Sequence, residues 1–396
     1  MLPDNPKKLL LLFLAILLGL GGCAYLAKGF RVAWQGGDSD FRIREREWVP
    51  FDQGIYPNKR LEQPVKSTAH SVYPPWAFPM YAPFFSAGNF TVARIVLQAL
   101  SLAGLAAMMW LGWRELSPLG WQVGLLGGAM AWAVSGNCTA IALGQFSILC
   151  AGLLAAQVLA MQANRPVLAG IFWALAMIKP QIALPFALLF LLERQWRGLF
   201  VGGAVLAVLS AGAFWWTGVS PLEFFVAGPA KEKLTFVRDS GYVGTMWIDW
   251  LDLPPRTATG IALGMLTLCG LALLLRDWRR RIPLIHGAGI CAMLGFVLFY
   301  HRQYDNQMLF PLMLAALIAA FRTKTTPYIA LACLLAITLY LPAGMVAKSP
   351  LLAVMAFSLP VLAAAGLFFC QEDQLTRRPI PYDDAASEKN GSALTC

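Results

Sequence analysis

Residues Leu9–Ala27 read LLLLFLAILLGLGGCAYLA, an uncharged run preceded by Lys7-Lys8 and followed by Lys28. At about 1.5 Å of rise per residue, a helix of this length crosses a hydrocarbon layer about 30 Å thick. Nothing in that layer can pair with backbone N–H and C=O groups, so the run must be helical. Similar apolar runs recur outward along the chain at Ile95–Leu111, Ile141–Met161, Leu199–Trp216, Gly260–Leu275 and Leu351–Cys370. The 396 residues are 58% hydrophobic and 13% charged, whereas soluble domains are roughly half apolar and about a quarter charged. Mean hydropathy is +0.60. The short alternating segments of an outer-membrane barrel are not visible. The expected fold class is therefore all-α, a polytopic transmembrane helical bundle.

The net charge of +10 does not mark a nucleic-acid binder. Many Lys and Arg residues fall in short connections between apolar runs, where they orient helices, and no block pairs basic with stacking aromatic side chains. The eight Cys lie mostly within or beside apolar runs without CxxC spacing. They read as small apolar fillers, and neither a metal site nor a disulfide framework is expected. Lys7-Lys8 plus the first run resembles a signal peptide, and Leu20-Gly21-Gly22-Cys23 a lipoprotein cleavage box. The run is long enough to span and more spans follow, so an uncleaved first helix is expected.

The bias of Lys and Arg toward the cytoplasm places the N-terminus inside. Residues 30–75 then form an outer segment, with Trp76–Phe85 at the interface. Later spans run over Phe90–Trp113, Gly120–Val134 and Thr139–Met161. Val167–Ile178 and Ile182–Leu192 are each short, and Lys179-Pro180 divides them, which predicts a broken hairpin with its tip near the outer face. Leu199–Trp216, a span ending at Arg276, Ile282–Phe299, Gln307–Phe321 and two further spans complete about 12 crossings. Both termini are then cytoplasmic, the setting being a bacterial inner membrane. Residues 1–370 read as one transmembrane domain with an outer interfacial helix after span one, and 371–396 as a disordered cytoplasmic tail. Arg42, Arg44, Arg46, Lys59, Arg60 and Lys66 strain this topology, because they sit in the outer segment.

In this arrangement Asp38, Asp40, Tyr73, Lys179, His301, Arg302 and Asp305 collect on one face. Ionisable residues at such depth are functional candidates, although some could snorkel or pair with one another. Asp40 could be a general base or a helix N-cap neutralised by the neighbouring arginines. Lys179 could meet an anion such as a lipid phosphate or snorkel. His301 and Arg302 could hold a phosphate leaving group, with Asp305 orienting them or binding sugar hydroxyls; the alternative is a solvated loop.

The ordered motifs resemble glycosyltransferase family 87, of the GT-C superfamily. They are Ser39-Asp40-Phe41 with Gly54-Ile55-Tyr56, then Tyr73-Pro74-Pro75 with Pro79 and Pro83, and Gly144-Gln145-Phe146-Ser147. Ala169-Gly170 through Lys179-Pro180-Gln181 to Glu193-Arg194-Gln195-Trp196-Arg197, and Tyr300-His301-Arg302-Gln303-Tyr304-Asp305, complete the set. The resemblance implies inverting transfer of a mannose-like or arabinofuranose-like sugar from a polyprenyl-phosphate donor to a lipid or glycan acceptor, outside the cytoplasm. It implies Asp40 as catalytic base, Lys179 and His301 at donor-phosphate positions, with Arg302 beside them, and Tyr73, Gln145 and Asp305 toward substrate. It implies no cofactor and no essential metal, although Asp38-Ser39-Asp40 spells a pattern that a divalent ion could use. A secondary transporter for a small polar or anionic solute is the rival reading, since it too would show many spans and a broken hairpin.

Overall fold

The computed structural model describes residues 6–58, 61, 63, 71, 73–227, 255–279, 281–299, 301–341 and 350–369. The expected tail at 371–396, Tyr300, and the charged Lys59, Arg60 and Lys66 lie outside those residues, as do residues 228–254 of the expected outer loop Thr217–Thr257.

Among the described residues the regular structure is entirely helical. The chain runs through α1 (Pro6–Val32), α2 (Ser39–Asp52), α3 (Ala77–Phe85), α4 (Phe90–Leu116), α5 (Trp121–Ala133), α6 (Gly136–Leu143) and α7 (Ser147–Gln162). It continues through α8 (Pro166–Ala176), α9 (Pro180–Ala183), α10 (Ala187–Leu192), α11 (Trp196–Thr217) and α12 (Pro221–Ala227). The last elements are α13 (Pro255–Arg279), α14 (Leu284–Leu298), a 3-10 turn (Gln303–Leu309), α15 (Phe310–Thr323), α16 (Thr326–Tyr340) and α17 (Pro350–Phe369).

Among the described residues six helical stretches are long and apolar enough to cross a membrane: Pro6–Gly37, Phe90–Leu119, Trp121–Leu143, Trp196–Thr217, Thr257–Arg279 and Tyr304–Thr323. Leu20, Phe200, Val208, Leu268 and Leu275 on three of them each stand about two-thirds exposed or more. Water would penalise that much bare apolar surface, whereas lipid is its natural solvent. The chain is an integral membrane protein.

Small residues let the helices approach. A Cβ on Gly152 of α7 would stand 2.1 Å from Gly104 Cα of α4, and one on Gly170 of α8 would stand 2.2 Å from the Gly198 carbonyl oxygen of α11. Without a solvent-driven force between helices in lipid, such close backbone packing is what holds them together. Of the cysteines, Cys138, Cys150 and Cys291 are buried, while Cys23 and Cys333 are exposed.

The expected continuous helix Thr139–Met161 is interrupted. Gly144 takes φ +68 and ends α6, and α7 starts afresh at Ser147. The Gln145 N–H returns to the Ala140 carbonyl at 2.8 Å, the closing bond of a left-handed helix cap. Hydropathy alone does not register this break, since the residues on both sides are apolar. The expected break at Lys179-Pro180 is present, with α8 ending at Ala176 and α9 opening on Pro180.

Candidate active site

Two helix interruptions and a 3-10 turn meet at one place. Pro180 supplies no N–H, and its ring keeps the preceding residue out of the helical region, so Lys179 adopts φ −120 and ψ 82. Main-chain carbonyls freed at this break and at the end of the short helix after it find indole donors. Trp76 Nε1 donates to the Met177 carbonyl at 2.8 Å, and Trp173 Nε1 to that of Ala183 at 3.0 Å.

The break turns the Lys179 side chain inward, where it is buried. Its ammonium donates to Asp305 Oδ1 at 2.6 Å, to Ser147 Oγ at 2.8 Å and to Gln145 Oε1 at 3.2 Å. All three ammonium protons are thus taken by protein acceptors. Ser147 also donates to Asp305 Oδ1 at 2.5 Å, and the other oxygen of Asp305 accepts from the Arg302 N–H at 3.0 Å. A buried ion pair is tolerable only when its remaining lone pairs and protons are matched, and this one meets that condition.

Gln145 carries the network onward. Its Nε2 donates to Asp40 Oδ2 and approaches the Tyr304 hydroxyl at 3.4 Å. Asp40 stands in the first turn of α2, not at the N-cap, and is partly exposed. The arginines after it have other partners. Arg42 pairs with Asp38 at 3.4 Å, and Arg44 pairs with Glu47 and covers the Tyr73 ring at 4.5 Å. Among the described residues Asp40 makes no ion pair. The carboxylates of Asp38-Ser39-Asp40 are therefore engaged separately, one by guanidinium groups and the other by an amide.

The remaining expected site residues lie around this core. His301 stacks on Phe296 with ring centroids 4.0 Å apart, and its Nδ1 is 3.3 Å from the Phe299 carbonyl oxygen. Burial pushes its pKa below the ordinary 6.5, with the Asp305 charge and the Phe299 carbonyl acting in the opposite sense. Tyr73 packs edge-on against Tyr81, centroids 6.0 Å apart. Burial raises its phenol above the ordinary 10, while the charges of Arg44 and Lys179 oppose that rise. Burial works against the charge of Arg44, yet Glu47, Tyr73 and Tyr81 more than offset it, and the guanidinium pKa is raised.

The sequence reading missed Ser147 and Tyr304 as partners of Gln145 and Lys179, although both stand inside quoted motifs. It also missed Glu47, for which the signal was an Arg-Glu spacing of three on one helix.

A helical bundle with lipid-facing apolar surfaces and a buried polar network at its helix breaks defines a membrane protein with an embedded polar site. The model of glycosyltransferase family 87 matches residues 72–300, more than half of the 396 residues, and the chain belongs to that family. It is a membrane glycosyltransferase. Comparison with curated proteins and with solved structures gives no match.

Proposed function

We propose that the protein transfers one sugar, mannose-like or arabinofuranose-like, from a polyprenyl-phosphate donor to a hydroxyl of a lipid or glycan acceptor, with Asp40 as general base. The transfer would take place at the extracytoplasmic face of a bacterial inner membrane. The chain makes about 12 crossings with both termini inside, and α2 lies at the outer interface. The supporting observation is that Asp40 keeps a partly exposed carboxylate, held by the Gln145 amide, beside a buried cation.

Asp40 takes the acceptor proton as the hydroxyl oxygen bonds to the anomeric carbon, and the bond from that carbon to the phosphate oxygen breaks on the opposite face. The configuration inverts, and polyprenyl phosphate leaves with the bonding pair. Charge grows on that phosphate in the transition state, where fixed positive charge is most effective. Lys179, His301 and Arg302 supply the polar groups on that side. Lys179 acts through its charge, or trades one of its three protein acceptors for phosphate when donor binds. Tyr73 and Gln145 face the sugar and the acceptor, and Asp305 acts from behind them by holding the Lys179 ammonium. Membership of a glycosyltransferase family favours sugar transfer over the transporter reading, although the broken hairpin suits both.

The test is transfer of label from a radiolabelled polyprenyl-phosphate sugar by purified protein in lipid. Asp40→Asn lowers turnover by about 10²–10⁴-fold while the protein stays folded and inserted. Normal turnover by that variant removes Asp40 from the reaction.

A further inference from the structure

Beside Asp40 stands a second charged group that the proposed transfer does not use. Asp38, buried at 1% exposure, is shared by two guanidinium groups. Arg94 Nε donates to its Oδ2 at 2.6 Å, and Arg42 Nε lies 3.4 Å from its Oδ1. Two cations on one carboxylate leave a formal excess of one positive charge. Both arginines reach Asp38 through Nε, and among the described residues the terminal nitrogens of neither donate a hydrogen bond. Each guanidinium therefore keeps a planar fork free of protein acceptors, open at Arg42 and with 10% of the side chain exposed at Arg94, and such a fork binds phosphate through two parallel bonds.

The surroundings select for a lipid. Arg94 stands in the first turns of the long apolar α4, and Trp34, half exposed, lies just past the end of α1. The Arg94 guanidinium lies 5.0 Å from the Trp34 ring centroid, and both arginines cover Phe90, at 4.2 Å for Arg42 and 5.2 Å for Arg94. Tryptophan and arginine at the end of membrane-crossing helices mark headgroup depth. Arg42 keeps 44% of its side chain exposed, so a headgroup can reach it. Arg44 is not equivalent, because Glu47 and Tyr73 already engage it.

We propose that Arg42 and Arg94, splayed on Asp38, form a binding site for the phosphate of a membrane lipid. Two sources share that chemistry: polyprenyl phosphate released as product after it has left the Lys179 side, and the anionic phospholipid of the bilayer. The site stands independently of the assignment of Asp40. It adjoins the reacting end, since Asp38, Arg94 and Gln145 line one small cavity of about 10 Å³.

The experiment measures binding of decaprenyl phosphate, and separately of phosphatidylglycerol, to the purified full chain in nonionic detergent, with diacylglycerol as the uncharged control. Wild type binds at least one phosphate lipid, more weakly as salt rises, and ignores diacylglycerol. Arg42→Gln, at an exposed position that the fold tolerates, weakens binding about tenfold, the loss expected for one charged hydrogen bond. Arg94→Lys keeps the charge beside Asp38 but loses the fork, and weakens binding similarly. Loss confined to decaprenyl phosphate assigns the site to the released product, and loss confined to phosphatidylglycerol assigns it to the bilayer. Unchanged affinity for both lipids in both variants overturns the proposal, as does a wild type that binds neither. Sugar transfer is measured on the same preparations, so a failed lipid site and a failed transfer reading are told apart.

Discussion

Asp40 and Lys179 hold opposite ends of one amide: the Gln145 NH₂ donates to the Asp40 carboxylate, and the Gln145 carbonyl accepts from the Lys179 ammonium. This fixes which way the amide points, because an ammonium accepts nothing and a carboxylate donates nothing. Carboxylate and ammonium are thereby set at a fixed separation by a neutral spacer.

Replacing the spacer separates its roles. Gln145→Leu keeps the bulk but frees both Asp40 and Lys179, and turnover falls about 10–100-fold, the loss expected when a positioned base can swing. Gln145→Glu sets a second carboxylate against Asp40. Two adjacent carboxylates resist joint ionisation, so the acid limb of the pH–rate profile moves to higher pH. An unmoved limb in Gln145→Glu, with full turnover in Gln145→Leu, would show that the bridge has no catalytic consequence.

The Lys179–Asp305 pair is a stability element as well as a site element. Lys179→Met strands a buried carboxylate and costs about 3–5 kcal/mol. The double change Lys179→Met with Asp305→Asn recovers most of that loss without recovering transfer. Thermal unfolding in detergent reads the first effect, and labelled-sugar transfer reads the second.

Gly144 and Gly36 make a matched pair. Both have positive φ, +68 and +94, but a Cβ on Gly144 would strike the Phe41 Cβ at 2.5 Å, whereas Gly36 faces open space. Gly36→Ala costs about 1–2 kcal/mol of backbone strain. Gly144→Ala adds a collision with the residue after Asp40, so it costs more and impairs turnover at temperatures where the protein remains folded. Equal effects of the two substitutions on activity would contradict this account.

His301 makes stability depend on pH. Its folded pKa is depressed, chiefly by burial, so the unfolded chain binds its proton first as pH drops. Stability is therefore lost as pH falls below about 6.5 and levels off below the folded value. His301→Phe should flatten the melting temperature across that window. Retention of the full slope would place the titration elsewhere.

Much of this was legible in the sequence. The apolar runs carried the membrane class, because the thickness of hydrocarbon dictates run length and nothing else demands it. Lys179-Pro180 announced its break through the chemistry of proline. Gly144 did not, because glycine is common in membrane helices, and only its left-handed conformation and the approach of Phe41 make it a stop. The pairing of Lys179 with Asp305 links residues 126 positions apart, which no local pattern encodes. For the same reason Asp38 and Asp40 looked alike in sequence, yet one is held by Arg94 and the other by Gln145.

The interruption at Gly144 also has a mechanical meaning. A stiff rod about 30 Å long that leans by about 5° at its base carries its tip roughly 3 Å sideways, enough to ruin alignment for a reaction. With the rod cut just short of Gln145, a lean of α6 need not pass into α7, which opens at Ser147 beyond the joint. Gln145, sitting at that joint, then answers to Asp40 and Lys179 beside it rather than to the tilt of a whole span.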